Sequence, residues 1–212
     1  MDESKHLKIN EARWNKWAET VDGKSLRYDY LRSAQLGVIS LLNLRENDCM
    51  LDIGCGTFPY FLLVSNARKK YGIDPSVNLS LLKNNNKNIF LKKIKVGEQR
   101  LPFKDNFFDV ITMLAVFEHI DHDKLNHALK EVKRTLKRGG IFIITTPAPW
   151  SDRPLHYLAN FGIISKEEIH EHKHNLTHKR IKEYLKDAGF SEDKIENGFF
   201  EVYLNMWFKA EK

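Results

Sequence analysis

The chain has 212 residues, 42% hydrophobic and 29% charged, which suits one folded domain with an appendage and is short for two average domains. Thirty-four Lys and Arg against 28 Asp and Glu leave a net charge of +6, spread along the chain and favouring anionic partners without marking a basic tail. The two cysteines, Cys49 and Cys55, fall in or beside one strand and exclude a disulfide framework; no signal-type segment or membrane-length apolar run is present, so a soluble, reduced, cytoplasmic protein is expected.

Trp14 and Trp17 in "RWNKWAE" are spaced for one helical face. From Tyr30 to Leu44 the recurrence of Leu31, Ala34, Val38, Leu41 and Leu42 predicts a helix. "CMLDIG" (49–54) reads as a short apolar strand ending in a glycine turn, and "FPYFLLVSNA" as a helix, since proline is tolerated in a first turn. "KKYGIDPS" is a second strand stopped by Asp74 and Pro75, "VNLSLLK" a short helix, and "IFLKKIKV" a third strand. "LPFKDNFFDVITMLAVF" predicts a turn at Lys104 to Asn106 and then a buried strand.

The stretch Asp123 to Arg138 carries the plainest helical stripe: Leu125, Ala128, Leu129, Val132 and Leu136, with "RGG" as the expected glycine stop. "IFIITT" is a fifth strand ended by Pro147 and Pro149. After an irregular segment with prolines and histidines, Ile181, Tyr184, Leu185 and Ala188 predict a last helix that Gly189 ends. Strand-like runs around Lys194 to Asn197 and Glu201 to Phe208 close the sequence.

Strands alternating with helices on short connections predict an α/β fold with a parallel sheet covered on both faces. Ligands of such sheets sit at the carboxyl ends of strands, near the reversal of strand order. Gly54, Gly56, Asp74, Glu98 and "FEHI" all collect at those ends.

A strand running into Gly-x-Gly lets the backbone approach a ligand, and the following helix offers its first N–H groups. Asp74, twenty residues past Gly54, is spaced to accept hydrogen bonds from ribose hydroxyls. Phe58 stands where a dinucleotide fingerprint has its third glycine, so a pyrophosphate-binding, NAD-type site is not what is written.

Four stretches in order, "LDIGCGT", "YGIDPS", "LPFKDNFFDVITMLAVFEHI" and "LKRGGIFIITTP", resemble the class I S-adenosylmethionine-dependent methyltransferases, particularly the group that includes the quinone-biosynthesis enzymes. They cover about residues 45 to 150, and "FEVYLNMWFKAEK" is similar to that family's terminal antiparallel strand. The resemblance implies a Rossmann-like, doubly wound, seven-stranded and mostly parallel sheet with an antiparallel last strand, N-terminal helices and a lid insertion. It implies S-adenosylmethionine as the cofactor and a single domain over 1–212: a helical N-terminal lid (1–44), a cofactor-binding core (45–147), a substrate-lid insertion (148–176) and a last helix with C-terminal strands (177–212).

Carried over residue by residue, the resemblance has Asp52 orienting the methionyl amine, Gly54, Cys55 and Gly56 packing on the cofactor, and Asp74 with Pro75 at the ribose. Trp17 and Leu114 line the same cofactor. The family's usual Gly-Asp-Ala-Glu before Leu-Pro-Phe is here "VGEQRLPF", one residue shorter, which leaves Glu98 or Gln99 for the adenine amino group. Phe58 departs from a frequent family glycine and implies a bulkier floor near the methionyl end.

Methyl transfer needs a base only where the acceptor atom is protonated at neutral pH. His119 in "FEHI" lines the site and is the candidate base; His122 and His127 read as helix-surface residues. Tyr28, His156, His170 and His174 are expected to face the acceptor. In an extended segment His170, His172 and His174 would share one face, as metal ligands do, but histidines are common in polar loops and no metal is assigned.

The expected activity is transfer of a methyl group to an O, N or C atom of a small molecule, with no nucleic acid and no membrane span. An RNA methyltransferase and a non-catalytic cofactor-binding protein are the alternatives. "LAVFEH" lacks the Asn/Asp-Pro-Pro-Tyr signature of DNA amino-group methylation.

Overall fold

The computed structural model describes residues 44–57, 59–79, 88–150, 176–200 and 203–212. Among these, seven strands and three α-helices follow in the order β1 (Cys49–Ile53), α1 (Tyr60–Val64), β2 (Lys69–Ile73), β3 (Ile89–Lys92), β4 (Phe108–Leu114), α2 (His122–Thr135), β5 (Leu136–Pro147), α3 (His178–Asp187), β6 (Ile195–Phe200) and β7 (Asn205–Glu211). The strands form one seven-stranded sheet of order β3-β2-β1-β4-β5-β7-β6. The expected α/β fold with a mostly parallel sheet and a reversed last strand is thus observed. The chain groups into two compact units, divided between Lys95 and Val96.

In the first unit β1, β2 and β3 are parallel, with Cys49 opposite Lys69, Ile53 opposite Ile73, and Lys70 opposite Ile89. Met50, Leu51 and Ile53 are fully buried, as a strand covered on both faces requires. Gly72 in β2 has a packing reason. A Cβ there would lie 2.7 Å from Leu91 Cδ2, 2.8 Å from Cys55 Sγ and 2.8 Å from Leu62 Cδ1, so a side chain would have to push these ends aside for α1 and the turn after β1 to settle on the strand. The buried Lys70 donates to the carbonyls of Leu62 (2.8 Å) and Ser65 (2.7 Å), closing the end of α1. Burial lowers the pKa of its ammonium.

In the second unit β4 and β5 are parallel, while β7 runs antiparallel to both β5 and β6. Leu125, Ala128, Leu129 and Val132 of α2 are fully buried, so the apolar stripe read from the sequence is the face that α2 buries. Arg134 closes a clamp beside it. Its guanidinium donates to Glu131 (2.6 and 2.8 Å), to Asp105 (2.6 Å) and to the carbonyls of Leu101 (3.0 Å) and Phe103 (2.9 Å).

Two boundaries differ from the sequence reading. The helix expected to reach Arg138 ends at Thr135, whose hydroxyl donates back to the carbonyls of Glu131 (2.9 Å) and Val132 (3.2 Å). Leu136 turns extended and buried, and Gly139 and Gly140 then hydrogen-bond the backbone of Lys212 instead of capping a helix. Lys212 Nζ takes over the capping, donating to the carbonyls of Lys133 (2.6 Å) and Leu136 (2.7 Å). The helix expected over 58–67 is only the five residues of α1, because Ser65 is already extended.

Candidate functional site

The turn after β1 is built from two left-handed glycines, Gly54 (φ 76°) and Gly56 (φ 71°). A side chain at either would strain the backbone. The turn is tied to the end of β2: Gly54 N–H and Cys55 N–H both donate to Ile73 O, at 2.7 and 3.3 Å. Gly56 N–H donates to Asp74 Oδ2 at 3.1 Å, and Asp74 Oδ1 accepts from Ser76 N–H (2.7 Å) and Ser76 Oγ (2.6 Å). The structure therefore brings Gly54, Cys55, Gly56 and Asp74 together, with the Asp74 carboxylate already oriented by three donors. Asp52 is buried at the end of β1, and Pro75 is exposed beyond Asp74.

Cys55 is buried against Gly72, and burial pushes its thiol up, with the neighbouring Asp52 and Asp74 charges adding to the shift. It is a neutral packing group, not a nucleophile. The helix that follows is too short to supply the ligand-binding dipole expected from the sequence. α1 has five residues, and its N-cap is Pro59, which has no N–H. Whatever the turn binds meets the glycine backbone and the acids.

Thr57, a residue the sequence reading passed over, completes this group. Its carbonyl accepts from Asn78 N–H at 3.2 Å, while its buried hydroxyl has no hydrogen-bond partner among the described residues. Two left-handed glycines, an oriented carboxylate and an orphaned hydroxyl fit a ligand with ribose and amino-acid polar groups, as S-adenosylmethionine has.

The remaining described candidates belong to the second unit. Gly97 (φ 87°) packs on α2, where an added Cβ would lie 2.9 Å from Lys124 Cβ. The exposed Glu98 and Gln99 follow it. Lys124 Nζ pairs with Glu98 at 3.1 Å and Asp121 at 3.2 Å, which raises the lysine pKa. Leu114, half-buried, ends β4. Ala115 beyond it is held at φ 54°, its N–H shared between Thr145 O (3.0 Å) and Thr145 Oγ1 (3.1 Å). The chain then makes a 3-10 turn, Phe117–His119, in which Glu118 is buried and His119 half-buried.

His122 is exposed on α2, as expected, and hydrogen-bonds the hydroxyl of Tyr184, whose ring it stacks on at 5.8 Å between centroids. Trp17, Tyr28, Phe58, His156, His170 and His174 lie outside the described residues. No helix among the described residues is long and apolar enough to cross a membrane.

Residues 51–144 match the family described as Methyltransferase domain. An uncharacterized protein of Methanocaldococcus jannaschii is 34% identical over 133 residues, 62% of this chain and 49% of that protein. A demethylmenaquinone methyltransferase of Staphylococcus epidermidis is 33% identical over 113 residues, 50% of this chain and 46% of the enzyme. A tRNA U34 carboxymethyltransferase of Nautilia profundicola is 34% identical over 106 residues, 48% of this chain and 35% of that enzyme. The chain spans about half the length of the curated relatives it matches.

A solved SAM-dependent methyltransferase of Thermotoga maritima superposes with a TM-score of 0.69 at 17% identity, covering 97% of this chain and 99% of that one, which is a likeness of fold. The family match, the sheet order and the Gly-x-Gly turn bonded to an acid at the end of the next strand agree. Residues 51–144 thus match the Methyltransferase domain family, on a fold that a solved SAM-dependent methyltransferase shares.

Proposed function

We propose that the protein transfers a methyl group from S-adenosylmethionine to an O, N or C atom of a small-molecule acceptor by in-line displacement. The observation that carries this reading is the Gly56 N–H bond to Asp74, because it sets a bare glycine backbone beside an acid oriented for diol recognition. The cofactor, when bound, supplies a methyl carbon on a good leaving group. The chain's own residues hold and orient. In this reading Asp52 takes the methionyl amine, Gly54, Cys55 and Gly56 form the cofactor floor, and Asp74 and Pro75 meet the ribose.

By resemblance, Glu98 or Gln99 reads the adenine, Leu114 and Trp17 add apolar cover, and Tyr28, His156, His170 and His174 face the acceptor. Alignment of acceptor and methyl carbon then carries most of the rate, up to about 7–11 kcal/mol in ideal cases. His119 accepts the acceptor proton where there is one, an effect of about a hundredfold or more. We read 1–212 as one methyltransferase domain with the lid and core boundaries given above.

A relative of this chain is named as acting on tRNA, and the net charge of +6 suits an anionic acceptor, so RNA is the second reading. Incubation with methyl-labelled cofactor and separated small-molecule and RNA fractions decides between them. Label in the small-molecule fraction, reduced at least about a hundredfold by His119→Ala, is expected. Label in RNA, weakened steeply by salt, would replace the primary reading.

A further inference from the structure

Left-handed backbone falls on glycine at five of its eight positions among the described residues; the other three are Asn106, Ala115 and Tyr203. Asparagine tolerates this conformation. Alanine does not, and Ala115 is held at φ 54° directly after β4, where its Cβ makes the left-handed form costly. Ala115 is also exposed, so burial of its methyl does not account for the residue.

Such a conformation persists only where its surroundings over-determine it. Ala115 N–H is shared between Thr145 O at 3.0 Å and Thr145 Oγ1 at 3.1 Å, so one residue of β5 grips it twice. Thr145 is itself 6% exposed and stands in register with Leu114 of β4 and Trp207 of β7. Two residues beyond Ala115, Phe117 is fully buried and meets the Tyr184 ring edge-on, 6.2 Å between centroids. His119 N–H then donates to Val116 O at 3.0 Å within the 3-10 turn. The chain is thus pinned at Ala115 and again at Phe117, and the half-buried His119 follows directly.

A glycine at position 115 would relieve the strain but would let the backbone take more than one course. Alanine gripped by Thr145 keeps it to one. We propose that Ala115 and Thr145 are positioning residues, fixing the course of the chain after β4 so that the His119 imidazole is held in the orientation proton transfer needs. This rests on the reading of His119 as the base. Both residues act through His119, and a reacting group misplaced by about 1 Å loses about a hundredfold in rate.

The test compares the full chain with Ala115→Gly, Thr145→Val and Thr145→Ser. The His119 ring proton is titrated by NMR, assigned with His119→Gln, and transfer from methyl-labelled cofactor into the small-molecule fraction is timed. Ala115→Gly should unfold close to the wild-type temperature, since relief of strain offsets the extra freedom of glycine in the unfolded chain. In Ala115→Gly and Thr145→Val the His119 midpoint should still move by about 0.3 pH units or more. Labelling by both should fall about tenfold or more, while Thr145→Ser, which keeps the hydroxyl, stays within about twofold of wild type. A loss of stability alone leaves the folded-state midpoint in place, so the titration separates placement from stability. A wild-type midpoint in both Ala115→Gly and Thr145→Val overturns the proposal and leaves the base reading standing. So does wild-type labelling by Ala115→Gly. Labelling by His119→Gln at the wild-type rate, or a wild type that labels no small molecule, removes the reading and this proposal with it.

Discussion

Gly56 and Asp74, eighteen residues apart, are joined by a 3.1 Å hydrogen bond from backbone amide to carboxylate. The bond makes the acid part of the glycine turn. Asp74→Ala removes the carboxylate proposed to meet the ribose and takes the acceptor from the Gly56 amide and Ser76. Cofactor affinity should fall by about 1–3 kcal/mol. Calorimetry on a variant shown to be folded checks this, and unchanged affinity would separate Asp74 from the ribose.

Gly72 links fold to site, since an added methyl would press on Cys55 Sγ, Leu62 and Leu91 at 2.8 Å or less. Those atoms are side-chain ends and can shift, so Gly72→Ala should cost about 1–3 kcal/mol of stability without abolishing folding. Because Cys55 lies between the two turn glycines, the same variant should bind the cofactor more weakly. Chemical denaturation and calorimetry together test it. A variant as stable as wild type would mean that the close approach is not needed.

Much of this site was legible in the sequence because its determinants are local. Gly54 and Gly56 must be glycine where the backbone turns left-handed at the end of a strand, and Asp74 follows at a spacing set by one β-α-β unit. The apolar stripe of α2 was equally plain. The misreadings have nonlocal causes. The helix ends at Thr135, not Arg138, because Leu136 and the two glycines after Arg138 bond to β4 and to Lys212, at the far end of the chain. His122 is exposed on α2 as the sequence reading had it, but its partner Tyr184, sixty-two positions away, could not be read from the sequence. Thr57 closed the "LDIGCGT" stretch but had no role assigned, since an orphaned hydroxyl is visible only once its surroundings are known.

The Arg134 clamp should be the most sensitive point of the second unit. Its side chain is 17% exposed and pairs with Glu131, which is 10% exposed. Arg134→Ala removes the guanidinium from that carboxylate, which keeps the Leu101 N–H, and from the carbonyls of Leu101 and Phe103. A loss of about 2–4 kcal/mol in denaturant unfolding is expected. A loss below about 0.5 kcal/mol would place the clamp among the surface pairs that contribute little.

Two groups set the acid response. The hydrogen bond from Arg134 and the Leu101 N–H hold the Glu131 carboxyl below the ordinary range, against the opposing effect of burial. Its stabilisation is therefore present above the unfolded value of about 4.3 and is lost as pH falls through the lower folded value. Burial lowers His178, although its bond to the Gly198 backbone opposes this. Below about pH 6.5 the unfolded chain gains that proton first, so stability falls on acidification from there through the folded value. Unfolding free energies measured across pH should show both stages. His178→Gln should remove the upper stage and Glu131→Gln the lower, and a profile unaltered by either substitution would contradict the assignments.

The Gly54–Gly56 turn and Asp74 are proposed to form a site for S-adenosylmethionine and not for a dinucleotide. Isothermal calorimetry of the full chain against S-adenosylhomocysteine and NAD tests it most directly. Saturable binding of S-adenosylhomocysteine is expected at about micromolar concentration, about −8 kcal/mol, with no NAD signal in the same range. Tight NAD binding with no S-adenosylhomocysteine signal would contradict it.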